Sequence, residues 1–201
     1  MIDSYDYEIR EALHRKWLRS YHSSNSDALV INELGLLHGS NRIDVAVINN
    51  CIHGYEIKSS KDTLKRLNGQ LKVYAMTLQK ITFVVAPNHI DELMTSVPPW
   101  SGIIVANKGK NGGISFKTLR RARTNPNFDM FSVSHLLWRD EAQSILKSKG
   151  LSTKDVNVNR KALYNLICHH LETKEIVSLI KQAFINREKW RVAELQTKYD
   201  G

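Results

Sequence analysis

Residues 42–60 read RIDVAVINNCIHGYEIKSS. Two short apolar, β-branched stretches, 42–48 and 52–58, flank Asn-Asn-Cys, which predicts an antiparallel hairpin. An Asp opens the first strand and Glu-x-Lys closes the second. Side chains alternate faces along a strand, so Glu56 and Lys58 share a face while Tyr55 and Ile57 take the other. With an odd loop, Asn49 to Cys51, Ile48 stands opposite Ile52 and Asp44 opposite Glu56, their Cβ atoms about 4.5–5.5 Å apart. A two-residue Asn-Asn loop would put the two carboxylates on opposite faces. Charges at the mouths of apolar strands need partners, because an isolated buried ion is costly. One solution is an ion-pair cluster at a sheet edge, with Arg42 as a further member. The other is a divalent cation: two facing carboxylates and the Ile57 carbonyl form an open site for Mg²⁺ or Mn²⁺. Lys58 beside that ion can orient water and stabilise developing negative charge.

Working outward, residues 28–34 form a preceding strand that ends near Glu33. Before it, Ser4 caps a helix whose stripe of Ile9, Leu13 and Trp17 runs to about Ser20. After the hairpin, Ser59 or Ser60 caps a helix with Asp62 in its first turn and Leu64, Leu67, Leu71, Tyr74, Ala75 and Leu78 on its inner face. Gly69 in that helix points to a close approach of backbone or ligand. The run ITFVVA (81–86) has the composition of a central strand covered on both faces. Strand, helix and strand at this spacing imply a parallel, right-handed crossover. A short helix near 91–97 precedes Pro98-Pro99, and strands 102–106 and 114–119 flank NKGKNGG as a second hairpin. Beyond Asn127 only helical patterns remain, near 132–149, 159–171 and 174–196, with Trp100, Trp138 and Trp190 as anchors of the helical part. The expected fold is α/β: a mixed sheet core flanked by helices over residues 1–127, and a helical C-terminal segment over 128–201.

The chain of 201 residues carries 29 Lys and Arg against 20 Asp and Glu, a formal charge of +9. That excess makes a polyanion the first partner to consider, since neutralising phosphates releases counterions. Its distribution sharpens the point, because Lys108, Lys110, Lys117, Arg120, Arg121 and Arg123 occur without an intervening Asp or Glu. A second basic group, Lys181, Arg187, Lys189 and Arg191, lies in the last helical pattern. The acidic start MIDSYDYEIR has no leader character, and no apolar run approaches the roughly 18 residues of a membrane span. Cys51 and Cys168 stand far apart with no CxxC, which suggests neither a disulfide framework nor a structural zinc site and fits a soluble protein of the reducing cytoplasm. KGKNGG lacks GK[ST] and is not a phosphate-binding P-loop.

Strand-Asp, E-x-K and the QLKVY run from Gln70 to Tyr74 together resemble the PD-(D/E)XK, or restriction-endonuclease-like, nucleases, with the QxxxY element of the branch typified by the RecB exonuclease domain. NELGLLHGSNRIDVAVIN (32–49), HGYEIKSSKDTLKRL (53–67) and LLWRDEA (136–142) are similar to a small, mostly uncharacterised bacterial family of that superfamily. Ile43 stands where the superfamily name has Pro. The resemblance implies a restriction-endonuclease-like sheet and Mg²⁺- or Mn²⁺-dependent phosphodiester hydrolysis, with DNA preferred over RNA. Asp44 and Glu56 would be metal ligands, Glu33 an additional one and Lys58 the catalytic lysine, while Gln70 and Tyr74 would support the site. A homodimer is left open, as is the choice between endo- and exonucleolytic cutting.

Overall fold

A computed structural model describes residues 2–199, and of residues 188–199 the backbone alone. The chain separates into two compact units, Met1–Asp129 and Met130–Gly201.

The first unit is built on a six-stranded mixed sheet whose strands lie in chain order: β1 (Leu29–Leu36), β2 (Asn41–Ile48), β3 (Ile52–Lys58), β4 (Lys80–Val85), β5 (Gly102–Lys108) and β6 (Ile114–Arg120). Pairing is antiparallel from β1 to β3, parallel through β3, β4 and β5, and antiparallel again at β6. Ile48 stands opposite Ile52, which is the register of the three-residue loop. Helix α2 (Leu67–Thr77) makes the crossover from β3 to β4, and α3 (Ile90–Ser96) lies between β4 and β5. Strands β4 and β5 are mostly apolar because both faces are covered: Phe83, Val84, Val85, Ile103 and Ala106 have no exposed surface. On one face, Ile9, Leu13 and Leu18 of the N-terminal segment pack with Val45, Val47, Tyr55, Ile57, Val84 and Ile104. Burying each such aliphatic side chain stabilises the fold by about 1.5–3 kcal/mol.

In the first unit two helices depart from the sequence pattern. The first does not run on to Ser20: α1 spans Asp6–Ala12, a π-turn covers Leu13–Trp17 and a 3₁₀ turn Arg19–His22. The wider π-turn breaks the four-residue period. Leu13 and Leu18 therefore take the core positions, and Trp17 is left 38% exposed against the edge of Phe116. The second helix starts at Leu67, not at Ser59, because the Asp62 carboxylate accepts from both the N–H and the Oγ of Ser59 at 2.7 Å. That local bond competes with a helical turn. Val73 and Thr77 join Leu67, Tyr74 and Leu78 on the buried face, while Leu71 and Ala75 are half-buried. Gly69 falls in the first turn of α2, where a Cβ would meet open space, so no backbone crowds it.

The second unit holds α4 (Met130–Ser134), α5 (Arg139–Ser148), α6 (Thr153–Val156), α7 (Arg160–His170) and α8 (Thr173–Tyr199). The expected helix 132–149 is interrupted where Glu141 accepts from the Trp138 N–H at 2.7 Å and starts α5 afresh. Leu146, Leu163, Ile167, Ile176 and Ile180 form its core, and the Tyr164 hydroxyl donates to the Leu137 carbonyl at 2.8 Å. Trp138 is not an anchor. It is 48% exposed, and the Arg187 guanidinium stacks on it at 4.2 Å. Trp100 is buried, but in the first unit. The side chains of Lys189, Trp190 and Arg191 lie outside the described residues. No helix among the described residues is long and apolar enough to cross a membrane.

Candidate active site

Strand β3 delivers Glu56 and Lys58 to the side of the sheet that α2 reaches, and both are buried, at 2% and 8% exposure. Glu56 is surrounded by donors. Its Oε1 accepts from Lys58 Nζ at 2.7 Å and from Gln70 Nε2 at 3.0 Å. Its Oε2 lies 2.7 Å from the Tyr74 hydroxyl, which is also 3.0 Å from the Arg42 carbonyl. Burial and the adjacent Glu56 charge raise the Tyr74 pKa, so the phenol remains a donor. Gln70 and Tyr74 meet because they are i and i+4 on α2, their polar ends 3.2 Å apart.

Asp44 is held differently. The β2–β3 ladder ends at Val45 and Tyr55, one pair short of Asp44 and Glu56, and the Asp44 Oδ2 accepts from the Ile57 N–H at 2.7 Å. The carboxylate thus takes over a bond that a strand carbonyl would otherwise accept. Burial first, then the Glu56 carboxylate, push the Asp44 pKa up to about 7, against the opposing pull of the Ile57 N–H and Arg10.

Sequence reasoning missed Arg10. Its Nη1 donates to the Asp44 carbonyl at 2.7 Å and its Nη2 contacts Asp44 Oδ1 at 3.3 Å and Glu33 Oε1 at 2.7 Å. Its Nε donates to Asp6 at 3.1 Å. Burial opposes the Arg10 charge, but the hydrogen bond and field of Asp6 and the fields of Asp44 and Glu33 outweigh it and raise its pKa. The i, i+4 spacing of Asp6 and Arg10 was visible in the sequence; the reach to Asp44 was not.

Glu33, expected as a metal ligand, is clamped between Arg10 and Arg42, the latter at 2.5 Å. Its φ of 57° is left-handed, a conformation that costs a non-glycine residue of order 1–3 kcal/mol. It also interrupts the β1–β2 ladder between the Asn32–Val45 and Leu34–Ile43 pairs. Continued through these gaps, the register sets Glu33, Asp44 and Glu56 in one row across three strands.

The row opens on a cleft of about 450 Å³ lined by Asp6, Glu33, Asp44, Glu56, Lys58 and Gln70. Among the described residues, no three carboxylate, His or Cys side chains converge on one point. The donor set at hand is therefore Asp44 and Glu56 with a main-chain carbonyl. A carboxylate offers about four lone-pair positions. Glu56 uses three and Asp44 two, which leaves room for one shared cation. Two carboxylates and a carbonyl suit a hydrated Mg²⁺ or Mn²⁺ better than an ion fully caged by protein.

The basic stretch divides by role. Lys110, Lys117, Arg121 and Arg123 are exposed. Lys108 is not free, since its ammonium bonds Glu8 at 2.5 Å. Arg120 is a brace that donates to the Ser101 carbonyl at 2.7 Å and to the Pro98 carbonyl at 3.1 Å. In the second unit, Arg187 is committed to Glu141 and the Leu136 carbonyl.

Comparison with known proteins adds a lineage. Protein cII of Enterobacteria phage P4 is 33% identical over 127 residues, covering 63% of this chain and 48% of that protein, so the match spans about half of the relative's length. Among solved structures, the SPO1766 protein of unknown function from Silicibacter pomeroyi aligns with a TM-score of 0.43 and 15% identity over 73% of this chain and 94% of that one. That likeness is too loose to argue from. A family model described as Bacteriophage P4 protein cII matches residues 2–198, nearly the whole sequence, and the chain belongs to that family.

Proposed function

We propose that the protein is a Mg²⁺- or Mn²⁺-dependent nuclease that hydrolyses phosphodiester bonds of DNA at Asp44, Glu56 and Lys58. The observation that carries this reading is the buried Glu56 carboxylate, gripped at once by Lys58, Gln70 and Tyr74 beside an Asp44 whose pKa burial and Glu56 push up. Buried ion pairs contribute little net stability, so such a network at the floor of an open cleft is better explained by chemistry than by folding. When bound, the metal would supply Lewis-acid polarisation of the phosphate and a more acidic water.

The chain's own residues do the rest. Asp44 and Glu56 would hold the ion, with the Ile57 carbonyl as the third protein ligand. The hydrogen bonds from Tyr74 and Gln70 fix the Glu56 rotamer. Lys58, sharing its ammonium between Glu56 and Gln70, stands ready to donate to the negative charge that builds on the phosphate in the transition state. Glu33 stays out of the metal shell while Arg10 and Arg42 hold it.

A second reading has its own observation. Arg10, Arg42 and Lys58 already pair with every carboxylate in the row, as they would in a catalytically idle nucleic-acid-binding or scaffold module. Incubation with a panel of labelled DNA and RNA structures in EDTA, Mg²⁺ or Mn²⁺ separates the two. Metal-dependent products from the parent, and none from Lys58→Ala, are expected. Binding without products in any arm would leave the idle module.

A further inference from the structure

Large aromatic side chains at the start of the chain sit in water. Tyr5 and Tyr7 are 48% and 66% exposed, although Ile9, two residues on, is fully buried. Their rings lie nearly parallel, 17° apart in plane with centroids 6.0 Å apart. Asp6, between them in sequence, lines the catalytic cleft and bonds Arg10, which holds Asp44. The pair therefore flanks in sequence a residue of the cleft wall.

The basic hairpin stands beside Tyr5. Lys108, at the end of β5, places its ammonium 5.8 Å from the centroid of the Tyr5 ring while bonding Glu8. Lys16 ties the same hairpin down through the Ile114 carbonyl. Beyond these anchors the glycine-rich tip carries Lys110, and β6 carries Lys117, both exposed. The acidic residues nearby are paired with cations, Asp3 with Lys61, Glu8 with Lys108 and Glu11 with Arg15, while Asp6 shares Arg10 with Glu33 and Asp44.

We propose that Tyr5 and Tyr7 form a base-stacking platform that leads a single-stranded segment of nucleic acid into the cleft, with the hairpin lysines on its phosphates. This inference rests on the nuclease reading of the cleft. The physical ground is that an aromatic ring can stack only on a base whose face is free. Bases in a duplex are already stacked, so their faces are not free to take a ring. An exposed ring pair next to a basic finger thus selects unpaired strand.

Fluorescence anisotropy with a short labelled single strand, and with the same sequence as a duplex, tests this in EDTA, where nothing is cut. The double variant Tyr5→Ala/Tyr7→Ala should weaken single-strand binding at least about tenfold and leave duplex binding nearly unchanged. Tyr5→Phe/Tyr7→Phe, which keeps the rings, should bind like the parent. A thermal melt checks that the variants are folded. Equal weakening on both substrates, no weakening on either, or loss in the Phe variant each overturns the platform. No weakening would leave the pair as a contact surface for protein. A parent that binds the strand through these tyrosines but cuts nothing with Mn²⁺ would sink the nuclease reading alone, and a parent that cuts while its Ala variant binds both forms unchanged would sink the platform alone.

Discussion

Arg10 grips Asp44 at two points, the main-chain carbonyl at 2.7 Å through Nη1 and the carboxylate at 3.3 Å through Nη2. A helix on one edge of the chain thereby fixes the backbone at which the β2–β3 ladder opens. The same guanidinium carries positive charge where a cation would bind. It therefore both builds the acidic row and competes for it.

Arg10→Gln should lower stability in EDTA by about 1–3 kcal/mol, since Asp44 and Glu33 lose their partly buried cation. Mn²⁺ should then bind more tightly and raise the melting temperature more than in the parent. Urea unfolding in EDTA measures the first and thermal melts with and without Mn²⁺ the second; a metal-induced rise equal to that of the parent would show that Arg10 and the ion do not compete.

The division of labour at the site predicts unlike metal affinities for two inactive variants. Asp44→Asn keeps an acceptor for the Ile57 N–H but loses the ligand charge, so cleavage should vanish and Mn²⁺ affinity fall. Lys58→Ala should also abolish cleavage, yet leave affinity equal or slightly tighter because a nearby positive charge is gone. Titration calorimetry decides, and similar weakening by both contradicts the assignment.

Tyr74→Phe removes the hydroxyl that Glu56 and the Arg42 carbonyl share. Leaving those oxygens short of a donor should cost about 1–3 kcal/mol. Cleavage should slow without disappearing, as Lys58 and Gln70 still hold Glu56. Unchanged rate and unchanged denaturation midpoint together would return Tyr74 to plain packing.

His53 gives the fold a pH dependence. Burial, and then Lys80, depress its pKa from 6.5 to about 4, and its Nε2 lies 2.8 Å from the Thr82 hydroxyl. The unfolded chain binds the proton more readily, so this stabilisation is full above about pH 6.5 and is lost as pH falls toward 4, to an extent of order 3 kcal/mol. His53→Gln should flatten the stability curve between those values. A parent and variant with parallel curves would rule the histidine out as the source.

The basic residues should separate by what they touch. Arg121→Ala/Arg123→Ala should flatten the dependence of log affinity on log salt by about 0.9 per lost duplex phosphate contact, or about 0.7 on a single strand, without altering stability. Arg120→Ala should instead destabilise the fold, because the Ser101 and Pro98 carbonyls lose their donor. An Arg120 variant with parental stability and a changed salt slope would reverse the roles.

What the sequence determined by itself was everything written in short-range periodicity. Alternation and turn chemistry located all six strands. The three residues between Ile48 and Ile52 set the hairpin register, and the i, i+4 spacing put Gln70 beside Tyr74. These are consequences of backbone geometry acting over a few residues. Tertiary structure decided the rest. The π-turn at Leu13–Trp17 replaced Trp17 by Leu18 in the core, because burial across the sheet outweighed an even helical stripe. Asp62 turned back to Ser59 and delayed α2. Lys108 and Arg120, read as phosphate contacts from their charge alone, found an acid and two carbonyls far away in the chain. Above all, Arg10 reached Asp44 across 34 positions. No local pattern specifies such a contact, since it depends on where a helix is laid against strands that are far from it in sequence.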